Sequence, residues 1–298
     1  VVGTPAATRL GRPGRLAYDA RVPPAPRRSR DLDVRVLPVH AAGSVPVPYV
    51  IAGMDEQVGR ETVWDAHAHP THELSWTLRG ASGVTVGDRT WAITPSIGLW
   101  LPAGTVHSGH APPGTWYRTA QFGVHAVAPL ADGPVAVEIT PLLGLLLDRL
   151  TGTALTPRSR ELTEQLVLDV LEPSPHAVAV QLPTTAVLRP VVAALDADPA
   201  DRRSLAEWAA ELGVSPRTLT RAFRAGTGLS FGRWRSAVRA HHAVLLLAAG
   251  EPVEDVAEAV GYRSASAFGA AFRQEVGLTP GRFRPAGTTG PARPDLDR

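Results

Sequence analysis

The sequence has no cysteine and no lysine. Without cysteine there is no disulfide, no thiolate nucleophile and no thiolate-bound metal, so any metal site must use His, Asp or Glu. Without lysine, arginine supplies all 30 basic residues against 28 acidic ones. Arginine suits bidentate contacts to phosphate and guanine. A biased base composition gives the same skew, so local placement has to decide. Long apolar runs are missing too. Leu142–Leu147 and Ala243–Ala249 fall far short of the roughly 20 residues that span a bilayer, and no basic-then-apolar leader opens the text. No membrane partner is expected, and the expected compartment is the cytoplasm. What is present suits folded matter. Hydrophobic residues are 44% and charged residues 19% of 298 positions, enough for one large or two ordinary domains.

The pattern changes several times along the chain. Residues 1–30 hold five prolines and seven arginines with little apolar period, and read as a flexible basic arm. Residues 31–135 read as a β-domain of short apolar runs cut by Gly and Pro, among them Val34–Val39, Val47–Ile51, Leu74–Leu78 and Ile97–Leu101. Val84 to Ile93 alternates around Gly87-Asp88, a hairpin signal. After Pro141 the period becomes helical over Leu142–Leu150 and Arg160–Leu171, with Pro157 placed to open the second helix. Residues 173–184 are rich in Pro, Ser and Thr and read as a linker, so 136–184 form a helical segment plus linker. Residues 185–284 are helical throughout, and 285–298 read as a disordered tail.

The helical region repeats itself. Leu205 to Gly213 matches Val253 to Gly261, and Leu219, Phe223-Arg224 and Gly228 match Phe268, Phe272-Arg273 and Gly277. Each copy is a short helix with a small Ala, a Gly at the turn, a polar cap (Ser215 or Ser264) and a second helix. The long helix Phe231–Ala249 joins the copies. Arg217, Thr220, Arg221 and Arg224 share the polar face of the first copy's second helix, and no acid occurs between Ser215 and Trp234. A solvated face normally mixes in acids; arginines on a helix with an exposed N-terminus suit phosphates and guanine edges. Gly228-Leu-Ser230-Phe-Gly232 spells a nucleophile-elbow pattern, but it follows a helix rather than a strand and is discounted as a hydrolase serine.

Over about 185–284 these residues resemble the DNA-binding domain of the AraC/XylS family. The resemblance is carried by Ser215-Pro-Arg-Thr-Leu-Thr-Arg-Ala-Phe223, Arg239 and Ala243 in the long helix, Val256-Ala257-x3-Gly261-Tyr262-x-Ser264, and Phe268-x3-Phe272-Arg273-x3-Gly277-x-Thr279-Pro280. It implies seven helices and two recognition helices entering successive major-groove segments of double-stranded DNA. It assigns Arg217, Thr218, Thr220, Arg221 and Arg224 to the first reading helix, and Arg263, Ser264, Ser266 and Gly269 to the second. Ala270 stands where that family usually has a basic residue, so most direct readout is expected from the first unit.

In the β-region, His67-Ala-His69-x3-Glu73 and Pro102-Ala-Gly104-x2-His107 place three imidazoles and a carboxylate in reach of one another, a set suited to Zn, Fe, Ni or Mn. The pair resembles the two motifs of a cupin barrel, a sensor fold used by AraC-type regulators. The second motif departs, with Ser96 in place of a Gly and Ala111 in place of an Asn. The alternative is a metal-free barrel whose His67, His69, Glu73 and His107 bond one another around an organic effector. His72 and His110 read as exposed neighbours, and Trp76, Trp91 and Trp100 as candidates to stack an effector.

The expected fold class is therefore α+β multidomain: a cupin β-barrel, a helical dimerisation segment and an all-α domain with two helix-turn-helix units. The expected function is transcription regulation controlled by a small-molecule or metal effector, by a homodimer that contacts RNA polymerase if it activates. The rival is a cupin metalloenzyme of dioxygenase or isomerase type with a helical appendage.

Overall fold

The computed structural model describes residues 32–152 and 155–284; the expected arm and tail fall outside them. Eleven short strands among the described residues form two facing sheets. One has the spatial order β1 (Leu32–Arg35), β3 (Glu61–His67), β8 (His107–Ala111), β5 (Ser82–Val86), β6 (Arg89–Ile93) and β11 (Ala179–Gln181). The other runs β10 (Val135–Glu138), β7 (Ile97–Leu101), β4 (His72–Arg79), β9 (Trp116–Phe122) and β2 (Ile51–Gln57). All pairings are antiparallel except β1 with β3. The hairpin expected at Gly87-Asp88 joins β5 to β6, with Gly87 at φ +58°.

Successive side chains of a strand point to opposite faces. On β4, Glu73 and Ser75 therefore face between the sheets, while Leu74 and Trp76 face outward. The outward set, with Ile51, Trp100 and Phe122, is covered by α1 (Pro141–Thr151) and α2 (Pro157–Val170) through Leu143, Leu146, Leu147, Leu150 and Val167. Burial of each such leucine stabilises by roughly 1.5–3 kcal/mol. Each of the two helices opens on a Thr cap followed by Pro, Thr140-Pro141 and Thr156-Pro157, a geometry in which the missing proline N–H costs nothing.

Three sequence expectations change here. Val47–Ile51 is not a strand; β2 begins at Ile51 and continues through polar Asp55-Glu56-Gln57. The segment 173–184 does more than link, because it holds β11, which pairs with β6 at the sheet edge. β10 also crosses the expected boundary at 135/136.

Beyond β11 come α3 (Arg189–Ala197), α4 (Leu205–Glu211), α5 (Pro216–Thr227), α6 (Phe231–Ala248), α7 (Val253–Ala259) and α8 (Ala265–Val276). Where the resemblance implies seven helices, the described residues form these six α-helices, with 3-10 turns at Ala186–Leu188 and Pro280–Phe283. The two helix-turn-helix pairs are α4–α5 and α7–α8. Ser215 and Ser264 cap α5 and α8 by accepting from the N–H of Thr218 and Ala267. Gly261 turns α7 toward α8 at φ +81°, and a Cβ there would come within 2.9 Å of the Ala200 backbone; both facts demand glycine.

Candidate functional site

Three histidines converge between the sheets. His67 ends β3 and pairs across the ladder with His107, the first residue of β8; His69 lies just past the end of β3. Ring centroids are 4.2 Å apart for His67–His107, 5.0 Å for His67–His69 and 5.4 Å for His69–His107. One ring nitrogen from each lies within 4.8 Å of the others. His67 Nδ1 donates to the Asp65 carbonyl (2.7 Å) and His107 Nδ1 to the Thr105 carbonyl (2.9 Å). A carbonyl can only accept, so both Nδ1 atoms carry hydrogen and both Nε2 lone pairs are free in the neutral rings. Burial holds the pKa of each below the ordinary 6.5.

Glu73, expected as a fourth ligand, is not part of this three-nitrogen cluster. Its buried carboxylate receives His69 Nε2 at 2.9 Å, Gln121 Nε2 at 2.8 Å and the Ser75 hydroxyl. Tyr117 in turn donates to Ser75 Oγ at 3.1 Å. Burial alone would raise the Glu73 carboxyl, but the His69 hydrogen bond and the neighbouring imidazole charges override it, down to about 2. For His69, burial opposes the charged form, and the Glu73 hydrogen bond and charge outweigh it, so its pKa is raised.

These groups border a cavity of about 510 Å³, also lined by Leu37, Met54, Trp64, Val84 and Tyr117. Trp76, Trp91 and Trp100, expected around an effector, do not line it. Trp76 and Trp100 sit on the outward face beneath α1 and α2; Trp91 faces inward but packs with Ile93, Leu99 and Leu101. The tryptophan of the cavity is Trp64. Also unforeseen were Tyr117, Thr119 and Gln121, which β9 presents at every second position on its inner face. Polar residues at period 2 in a half-buried strand were the available signal. His72 and His110 are buried rather than exposed. His72 Nδ1 accepts from the Ala103 N–H at 3.0 Å, and its ring stacks on Trp100; His110 Nε2 lies 3.3 Å from Glu61.

On the helical side, Arg217, Arg221 and Arg224 are exposed along α5, and Arg263, Ser264 and Ser266 are exposed at the start of α8. Thr218, Thr220 and Gly269 are half-buried. The Thr220 hydroxyl donates to the Pro216 carbonyl at 2.9 Å. Other arginines are committed to the fold: Arg203 pairs with Asp201 and Glu211, and Arg239 donates to the carbonyls of Pro199 and Asp201. Ser230, of the nucleophile-elbow pattern, is the N-cap of α6 and accepts from the Arg233 N–H.

Residues 56–171 match the AraC-like ligand binding domain family, and residues 208–286 match a helix-turn-helix domain family. The chain belongs to the AraC family of transcription regulators. This AraC-family protein is a DNA-binding transcription regulator with a ligand-binding domain. It is 29% identical over 236 residues (78% of this chain, 84% of the relative) to the HTH-type transcriptional regulator NimR of Escherichia coli K12. It is 43% identical over 102 residues to the regulator RipA of Corynebacterium glutamicum, a match to 34% of this chain and 31% of that one. Among solved structures it is similar to fatty-acid-bound ToxT from Vibrio cholerae (12% identity, TM-score 0.33, 78% of this chain and 93% of that one). Within this AraC-family regulator the two halves share apolar cores. Ala81, Ala92 and Val178 of the β-domain cluster with Ala240, Ala243 and Val244 of α6, and Val180 of β11 clusters with Leu219, Phe223 and Trp234.

Proposed function

We propose that occupancy of the cavity between the sheets sets the DNA affinity of α5 and α8, making the protein an effector-controlled, sequence-specific regulator. The reading is carried by one observation: three histidines converge on a cavity in the same chain as an exposed row of arginines on α5. Arg217, Thr218, Thr220, Arg221 and Arg224 are assigned to the first DNA-reading surface, and Arg263, Ser264, Ser266 and Gly269 to the second. Long donors are concentrated on α5, so it carries most base readout, while α8 offers its N-terminal N–H groups to the backbone.

A divalent transition metal (Zn, Fe, Ni or Mn) fits His67, His69 and His107. The carbonyl acceptors on His67 and His107 are the kind of partner that fixes tautomer and ring orientation in histidine metal sites, and a cysteine-free chain offers imidazole in its place. Exposed Leu142, Leu145, Leu162 and Leu166 on the outer faces of α1 and α2 support a homodimer through this helix pair. Binding then favours one arrangement of sensor and DNA-binding parts by differential affinity, and RNA polymerase is the further partner if the protein activates. A cytoplasmic location follows from the DNA target.

The test is fluorescence anisotropy on the DNA upstream of the gene, comparing chelator-treated with Zn²⁺- or Ni²⁺-loaded protein over a salt series. DNA affinity that falls with salt and changes with metal is expected. Affinity blind to metal, with no metal retained after dialysis, would remove the metal reading.

A further inference from the structure

The way Glu73 is held bears on what the cavity recognises. Its two oxygens already take three donors, from His69, Gln121 and Ser75, and leaving any of these buried donors unpaired costs about 1–3 kcal/mol. With His69 Nε2–H kept on Glu73, a metal would meet His69 through Nδ1 and would be left with three protein ligands, His67, His69 and His107. Transition ions take four to six ligands, so one to three positions stay open to what the cavity contains, and two or more wherever the ion is five- or six-coordinate. A volume of about 510 Å³ far exceeds the ~30 Å³ share of one water and lies in the range of small-molecule sites, roughly 300–1,000 Å³.

The wall narrows the chemistry. Among the described residues it carries the acids Asp55, Glu56 and Glu73 and no arginine. Glu56 is already taken by Arg35, and Asp55 accepts from Trp116 Nε1 at 3.0 Å. The wall group that favours a positive charge, His69, is already turned to Glu73 and would be neutral once it ligated a metal, so an organic anion would find its electrophile in the metal. Trp64, Val84, Leu37 and Met54 supply an apolar flank, and Trp64 is fixed in place against Gly109, where a Cβ would come within 3.2 Å of the indole.

We propose that the effector is a compact organic chelator with an apolar body, which binds the regulator by ligating the histidine-held metal through two donor atoms. This rests on the metal reading above. It makes recognition ternary: neither metal nor organic molecule alone fills the site.

The test uses the full chain loaded with Co²⁺, whose visible bands report ligation directly. The probes are tropolone, a flat bidentate oxygen donor, and tropone, the same ring with one oxygen. Expected are cobalt bands absent from His67→Ala, shifted by tropolone, with tropone at least about tenfold weaker (~1.4 kcal/mol). Thr119→Trp, which adds bulk to the wall from β9 while keeping all three histidines, is expected to keep the cobalt bands and lose the tropolone shift. Retained cobalt bands that tropolone leaves unchanged, or cobalt stripped by tropolone into the dialysate, would overturn the chelator proposal while leaving the metal standing. No cobalt binding at all would overturn both. If Thr119→Trp does not fold, the tropolone–tropone comparison on the native chain decides.

Discussion

The indole Nε1 of Trp234 donates to the Gln181 carbonyl at 2.8 Å, tying α6 to β11. Trp234 is fully buried while Gln181 is half-buried. Trp234→Phe keeps an aromatic ring but leaves that carbonyl without its donor, which should destabilise the protein by roughly 1–3 kcal/mol. A lower Tm, together with a smaller effect of metal on DNA affinity, is the expected outcome; an unchanged Tm would show the bond to be dispensable.

Arg221→Ala should weaken binding to the preferred site by about 1–3 kcal/mol and flatten preference at the bases it reads. Competition against a panel of single-base variants measures this. Equal weakening on every sequence would reassign Arg221 to a phosphate.

Acid should destabilise the packing around α6. Burial pushes His242 down to about 4 and, with the neighbouring His242 charge, His241 down to about 3, from the ordinary 6.5. Among the described residues neither ring nitrogen of His242 has a hydrogen-bond partner, and Asp196 stands 3.9 Å away. The folded protein keeps both rings neutral, whereas the unfolded chain protonates them near 6.5. Their contribution is therefore intact above that value and lost as pH falls from 6.5 toward the folded values, by about 3 kcal/mol at pH 4 for His242 alone. Melting curves between pH 8 and 4 should show the slope, and His242→Leu should flatten it without lowering Tm at pH 8.

Leu145 is 68% exposed on α1 and Leu162 49% exposed on α2. If these faces join two copies, the double change Leu145→Asp and Leu162→Asp should turn a dimer into a monomer in light scattering while leaving Tm within a few degrees. A native chain that is already monomeric at micromolar concentration would dispose of this interface.

The helix-turn-helix pairs were legible because their signals are local: Ser215 and Ser264 cap helices that begin at the next residue, and Gly213 and Gly261 mark the turns. The sensor half was legible only in outline. β2 and β9 carry Asp55, Glu56, Arg118 and Gln121, and show no apolar run. β11 has only three residues and is held by β6, far away in the chain. The histidine cluster could be read from spacing, but Glu73 could not be separated from it, since its partner Gln121 lies 48 residues on. The tryptophans failed for a different reason: a strand's alternation assigns Trp76 of β4 and Trp100 of β7 a side only once the pairing of those strands within the sheet is known.

Helix α6 contributes Phe231, Trp234 and Val238 to the core of the first helix-turn-helix unit, and Ala243, Val244 and Leu247 to that of the second. One continuous rod thus acts as the ruler between the two reading heads. An α-helix advances 1.5 Å and turns about 100° per residue. A single residue inserted near Arg239 would advance one head along the rod and swing it around by more than a quarter of a circle relative to the other.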